Sequence, residues 1–147
     1  MEAQVKVQAI LDSKGSQTET TDPESLMTVV IHKLSSRSIG AMVVLQDDRV
    51  VGLISERDVI WGLNKYGGHI LQMRAKEVMS RQVQVCSPDD SITKVMEVMT
   101  RTRSRHLPVV ANEKLVGIVS VGDIVKHRLE DMELETTVLR DAYISHH

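Results

Sequence analysis

The sequence predicts a mixed α/β (α+β) fold, built as two tandem β-α-β-β-α repeats related by pseudo-two-fold symmetry and forming one module. Three observations predict it. The 147-residue chain matches itself at an offset of 65 residues. Each copy carries apolar residues at i, i+3, i+4 and i+7, which is one face of a helix. Each copy then carries two short apolar runs separated by a polar turn, the pattern of paired strands.

The offset lays "GLISERD" (52–58) on "GIVSVGD" (117–123). Gly52 falls on Gly117, Ser55 on Ser120 and Asp58 on Asp123. Val51 on Val116, Val44 on Val109, Thr28 on Thr93 and Pro23 on Pro88 follow, with no gap from Pro23 to Ile60. Met27, Val30, Ile31 and Leu34 become Ile92, Val95, Met96 and Met99. Upstream, Ile10-Leu11 resembles Val78-Met79, after which the first repeat has a longer connection. A solenoid needs at least ~3 repeats, so the two copies read as halves of one globule.

In chain order, a short segment (5–11; 75–79) leads to a short strand ending near Thr21 or Cys86. Asp22-Pro23 and Ser87-Pro88 are expected to start a helix, with Asp22 or Ser87 as N-cap and Pro at the first helical position. "GAMVVL" and "HLPVVA" follow as buried strands. "QDDR" and "NEK" turn the chain into second strands over 50–54 and 115–119. Helices follow from Ser55 and Ser120. "NKYGGHI" connects the halves, marked by Gly67-Gly68. The expected divisions are 5–66 for the first repeat, 72–130 for the second, and 131–147 for a C-terminal helical extension, whose last residues are His146-His147.

Composition narrows the function. The chain is 41% hydrophobic and 26% charged, enough to bury a core and stay soluble. It has one Trp, two Tyr and no Phe, so the core must be Val, Ile, Leu and Met. A net charge of −2 gives no global basic field. "RTRSRH" (101–106) is a local basic run, but few aromatics are available for base stacking, which argues against nucleic acid. A lone Cys86 forms no internal disulfide and suits a reducing compartment. No apolar run approaches the ~18 residues of a membrane span, and the N-terminus has no long apolar signal region. A cytoplasmic location is the expectation. The scattered His residues lack metal-ligand spacing, and no nucleophile–base pair or acid–base pair is present, so neither a metal site nor catalytic residues are expected.

The repeated motif has two readings. Ser-x-x-Asp is a capping-box pattern that closes a helix N-terminus. A cap alone requires neither the preceding Gly nor its fixed position. Gly52 and Gly117 lie inside strands, where glycine marks close approach of a ligand or backbone. A strand-to-helix junction also exposes free N–H groups at a positive dipole end. An Asp there can accept hydrogen bonds from neutral hydroxyls such as those of ribose. Both functions can coexist.

The β-α-β-β-α order, the "G-aliphatic-x-S-x-x-D" endings and "RHLPVV…LVGIVSVGD" resemble the CBS (cystathionine β-synthase) domain family. The pair resembles a tandem CBS module, or Bateman module, of the stand-alone bacterial type, over roughly residues 5–129. The resemblance implies a non-enzymatic regulatory, energy-sensing module that binds an adenosine-containing nucleotide (AMP, ADP, ATP or NAD) between the repeats. Carried over by position, one site takes Ser120 and Asp123 for the ribose. Its adenine slot would be Met27, Ile39 and Gly40, with backbone near Thr21 and Asp22, and its phosphate grip Arg105 and His106. The pseudo-symmetric site takes Ser55 and Asp58, with Cys86, Ser87, Ile92 and Ser104 around the base. Arg105-His106 maps onto Gly40-Ala41, so the second site lacks that grip. The resemblance also implies a homodimer formed through helices, and an unknown regulated protein as partner. The stripe Val125, Leu129, Met132, Thr136, Leu139 and Tyr143 would be exposed on a monomer unless it packs across its own module or against a second subunit, and the resemblance favours the second. The alternative is a structural or protein-interaction dimer with degenerate pockets.

Overall fold

The computed structural model describes residues 4–145; His146 and His147 lie outside the described residues. The first half contains α1 (Val7–Lys14), β1 (Thr20–Thr21), α2 (Met27–Ser36), β2 (Ala41–Gln46), β3 (Arg49–Ser55) and α3 (Glu56–Tyr66). A 3-10 segment, Gly67–Gln72, leads to α4 (Ala75–Val78). Then come α5 (Ile92–Thr102), β4 (His106–Ala111), β5 (Lys114–Ser120) and α6 (Val121–Ser145). The expected C-terminal extension is continuous with α6 as far as it is described.

The two sheets repeat each other. β1 runs parallel to β2, and β2 pairs antiparallel with β3. In the second half Cys86 bridges Val109 in parallel, matching Thr21 beside Val44, and β4 pairs antiparallel with β5. Each hairpin turns on two left-handed residues, Asp47-Asp48 and Asn112-Glu113, as a tight right-twisted hairpin requires. Each also bulges at the same place. Val44 faces Gly52 and Leu45 faces Val50, so Val51 is the extra residue; Val116 repeats it opposite Val109 and Val110. The sheets meet where β3 packs against β5.

The helices after Pro23 and Pro88 start later than the sequence suggests. α2 begins at Met27 behind Leu26, and α5 begins at Ile92 with Ser91 as its N-cap. Asp22-Pro23-Glu24-Ser25 is instead a β-turn, closed by Ser25 N–H donating to the Asp22 carbonyl at 3.1 Å. Ser87–Asp90 closes the same way at 3.0 Å. Proline with an Asp or Ser before it suits the second position of such a turn as well as it suits a helix start.

The leading segments cross over. Val7, Ile10 and Leu11 of α1 are buried with Ile92, Val95, Leu107 and Val119 of the second half. Met73, Ala75 and Met79 around α4 are buried with Met27, Val30, Met42 and Ile54 of the first. Backbone bonds repeat the exchange: Val7 N–H donates to Asp90 O and Ala75 N–H to Ser25 O, while Ile92 N–H donates to Val5 O and Met27 N–H to Met73 O. The halves thus lack independent cores.

This crossing explains the motif glycines and corrects the expectation attached to them. A Cβ on Gly117 would lie 2.7 Å from Leu11 Cδ2, and one on Gly52 would meet the Met79 side chain. What a Cβ at either strand would meet is the side chain of an exchanged segment, not a backbone. Gly117→Ala should therefore destabilise the fold by about 1–3 kcal/mol through overpacking. Urea unfolding should show that Leu11→Ala costs less in the Gly117→Ala background than in the wild type. Additive losses would mean that the two positions do not compete for the same space.

Candidate functional site

Each repeated motif sits at a strand-to-helix junction, and each is a working cap. Ser55 N–H donates to Asp58 Oδ2 at 2.8 Å, Ser55 Oγ donates to the same oxygen at 2.9 Å, and Asp58 N–H donates to Ser55 Oγ at 3.3 Å. The second copy repeats the reciprocal pair: Ser120 N–H donates to Asp123 Oδ2 at 2.8 Å, and Asp123 N–H donates to Ser120 Oγ at 3.1 Å. Each of these bonds to a carboxylate falls on Oδ2. The cap and a ligand contact can therefore share one side chain.

The two junctions differ in their neighbours. Lys14, at the end of α1, donates through Nζ to Asp123 Oδ2 at 2.7 Å and to the Ile118 carbonyl at 2.9 Å. It arrives there because Leu11, one turn earlier, seats over Gly117. The symmetry-related position after α4 is Gln82, so Asp58 gains no such cation. Burial pushes the Asp123 carboxyl up, but the Lys14 ammonium and the Ser120 N–H outweigh it and hold the group below the ordinary 3.8.

Around Asp123 the fold gathers several of the expected residues. His106 pairs with Ser120 across β4 and β5, and Val121 N–H donates to the Arg105 carbonyl at 3.0 Å. Gly40 lies against the imidazole; a Cβ there would be 2.8 Å from His106 Nε2. Burial holds the His106 pKa below 6.5, against the pull of Asp123 and Glu56, with Lys14 and Arg105 adding to the depression. His106 is thus neutral at pH 7 and offers a hydrogen bond, not a charge. Thr21 is buried on β1 beside Val44, Ile39 packs against the first core, and Asp22 accepts from Glu24 N–H and Ser25 Oγ–H within its turn. Met27, expected in the adenine slot, has its side chain fully buried in the first core.

The Asp58 junction is less well supplied. Cys86 and Ile92 are buried in the second core, and burial foremost, with Asp90 beside it, pushes the Cys86 thiol up to about 12. Ser87 Oγ accepts from Asp89 N–H, and Ser87 N–H donates to Asp90 Oδ2. Ser104 is half-buried just before β4. Among the described residues, none of these four hydrogen-bonds Asp58. Two hollows stand out elsewhere: about 980 Å³ beside α5 and α6, lined by Met96, Arg101, His127 and Met132 among others, and about 440 Å³ between residues 16–20 and 114–117. Of the expected site residues only Ile92 borders either. No described cluster of His, Cys, Asp and Glu could hold a metal ion, and no described helix is long and apolar enough to cross a membrane.

Lys14 and Glu56 are the residues that sequence reasoning missed. The signal for Lys14 was present in the match of Ile10-Leu11 to Val78-Met79, but only the crossing of the segments reveals which half each serves.

The comparisons agree with this architecture. The model of the CBS domain family matches residues 17–65 and 75–130, and the chain belongs to that family as a tandem pair, a regulatory type of module. The CBS-domain protein ATU1752 from Agrobacterium tumefaciens is 35% identical, with a TM-score of 0.81, covering 84% of this chain and 99% of that one. A 33.4 kDa protein of a ribosomal RNA operon in Thermofilum pendens is 41% identical over 99 residues, 67% of this chain and 32% of its own length. This chain thus spans about a third of that relative. The CBS pair of protein MJ0100, solved in complex with 5′-methylthioadenosine and S-adenosyl-L-methionine, shares the fold at 21% identity and a TM-score of 0.78, covering 88% of this chain and 99% of that one.

Lys14→Met should cost about 1 kcal/mol of stability at pH 7, the scale of a partly buried, charge-assisted pair. Because Asp123 has a lowered folded-state pKa, this contribution is complete above pH 3.8 and fades as pH falls through the lower, folded-state value. Denaturant titrations at pH 7 and in acid should therefore show a wild-type advantage that shrinks as the pH falls below 3.8.

Proposed function

We propose that this chain is a non-catalytic sensing module that binds an adenosine-containing nucleotide in the cleft between its repeats and acts as a homodimer on a partner protein. AMP, ADP, ATP and NAD are the candidate ligands. One observation carries the reading: at both junctions a carboxylate is fixed by Oδ2 at a helix N-terminus, leaving Oδ1 to accept from the hydroxyls of a ribose. Membership of the CBS family supports it. So does the adenosine-containing pair of ligands bound by the MJ0100 module. Ser120 and Asp123 take the ribose of the better-supplied site, with Gly40, Ile39 and the backbone of Thr21 and Asp22 beside the base. Arg105 carries the charge for a phosphate, and neutral His106 adds a hydrogen bond. Ser55 and Asp58 would hold the ribose of the second, weaker site, with Ser87 and Ser104 assigned to its base side by the family pattern.

Calorimetry on nucleotide-free protein tests the reading. Asp123→Ala should weaken binding beyond the ~0.5–2 kcal/mol that losing a cap takes from stability, and Asp58→Ala should affect the other site alone. If both variants bind normally and lose only melting temperature, the motifs are caps. No heat or thermal shift with AMP, ADP, ATP or NAD would favour the structural alternative with degenerate pockets.

Arg105 separates the phosphate from the nucleoside. A guanidinium forms charge-assisted bonds that adenosine cannot use. Arg105→Ala should therefore weaken AMP by roughly tenfold or more, the scale of one charged hydrogen bond, and leave adenosine nearly unchanged. Equal losses for both ligands would place the phosphate elsewhere.

A further inference from the structure

α6 does two different things along its length. Its first turns are anchored: Ile124 is buried in the second core, and the helix packs on α5, β5 and α1. Beyond them it continues to Ser145, 25 residues in all. A stripe beside the anchored face stays open to solvent, with Leu129 54%, Met132 60% and Leu139 71% exposed. Such side chains at such spacing are costly to leave in water.

The stripe has a period of its own. Val125, Leu129, Met132, Thr136, Leu139 and Tyr143 advance by alternating steps of four and three. That is a heptad seam, with Val125, Met132 and Leu139 at d and Leu129, Thr136 and Tyr143 at a. We propose that residues 125–143 form a parallel, in-register, two-stranded coiled coil with a second copy of this chain. This deepens the homodimer proposed above and rests on it.

Charge selects the orientation. Lys126, Glu133 and Arg140 occupy the e positions, and Arg128 precedes the first a residue at g. In a parallel pair, g faces the e of the following heptad on the other helix. Arg128 then faces Glu133 of the second copy, and two-fold symmetry repeats the attraction on the other side. In a fully overlapped antiparallel pair, e faces e. Glu133 would meet its own copy and Lys126 would meet Arg140, so every e contact would be repulsive. The seam thus favours one arrangement and penalises its alternative.

The seam can be read directly with cysteines in the full chain. Cys86 is buried and leaves the wild type as an uncrosslinked control. Leu139→Cys and Met132→Cys, each alone and under mild oxidation, should give disulfide-linked species at twice 16.4 kDa. Failure of both single variants, with crosslinking only in a mixture of Met132→Cys and Thr136→Cys chains, would overturn the parallel register. Light scattering supplies the second readout. The wild type at micromolar concentration should weigh near twice 16.4 kDa, and Met132→Glu/Leu139→Glu should raise the dissociation constant at least ~100-fold. A double variant that remains fully dimeric would leave the homodimer standing on other helices and overturn the coil. A monomeric wild type would overturn both.

Discussion

Two small sheets in this chain each need a cover that their own half does not supply. The first half, from β1 to α3, closes its core only when Met73, Ala75 and Met79 arrive from beyond the connection. The second closes only when Val7, Ile10 and Leu11 cross from the N-terminus. A buried Val, Ile, Leu or Met side chain contributes on the order of 1.5–3 kcal/mol, so Met73 and Met79 on one side and Val7, Ile10 and Leu11 on the other are a large share of a typical net stability of about 5–15 kcal/mol. The halves therefore fold together or not at all. The motif glycines belong to the same constraint, because each leaves the space that the incoming helix fills.

The crossing also decides what surrounds the repeated carboxylates. Asp58 and Asp123 are equivalent as caps, each held by its own serine. They are unequal as chemical groups. α1 ends in Lys14 and so brings an ammonium to Asp123, whereas the corresponding position at the other junction is Gln82. Gly40 lies against the imidazole of His106, and where His106 pairs with Ser120 the matching partner of Ser55 is the small Ala41. Pseudo-symmetry thus builds two matching frames, and a few substitutions at matched positions make one of them more polar and more charged than the other.

Periodicity made most of the fold legible. The 65-residue offset, the helix faces and the hairpin turns all report local preference, and local preference is what a sequence displays. Proline suits both a turn and a first helical position, so sequence alone does not place the helix starts after Pro23 and Pro88; only the closing bonds to Asp22 and Ser87 choose between them. Gly52 and Gly117 were recognised as points of close approach, but the approaching group lies in a segment whose destination is tertiary. Lys14 was hidden for the same reason. Met27 and Ile92 fit the helical apolar pattern and also the carried-over ligand positions; burial assigns both to the cores.

α6 joins the two ends of this scheme. Its N-terminus holds Asp123, and through Asp123 it is tied to α1 by Lys14. Its 25 residues extend about 37 Å, well past the packed body of the second half. A helix transmits displacement along its axis with little loss, because every turn is bonded to the next. Any ligand that draws on Oδ1 of Asp123 acts on the first turn of this rod and on the lysine that pins α1 beside it. Any contact made on the exposed seam acts on its far end. The two sites would then influence each other through one continuous element, and linkage requires that influence to be reciprocal: whatever the ligand does to association, association does to the ligand.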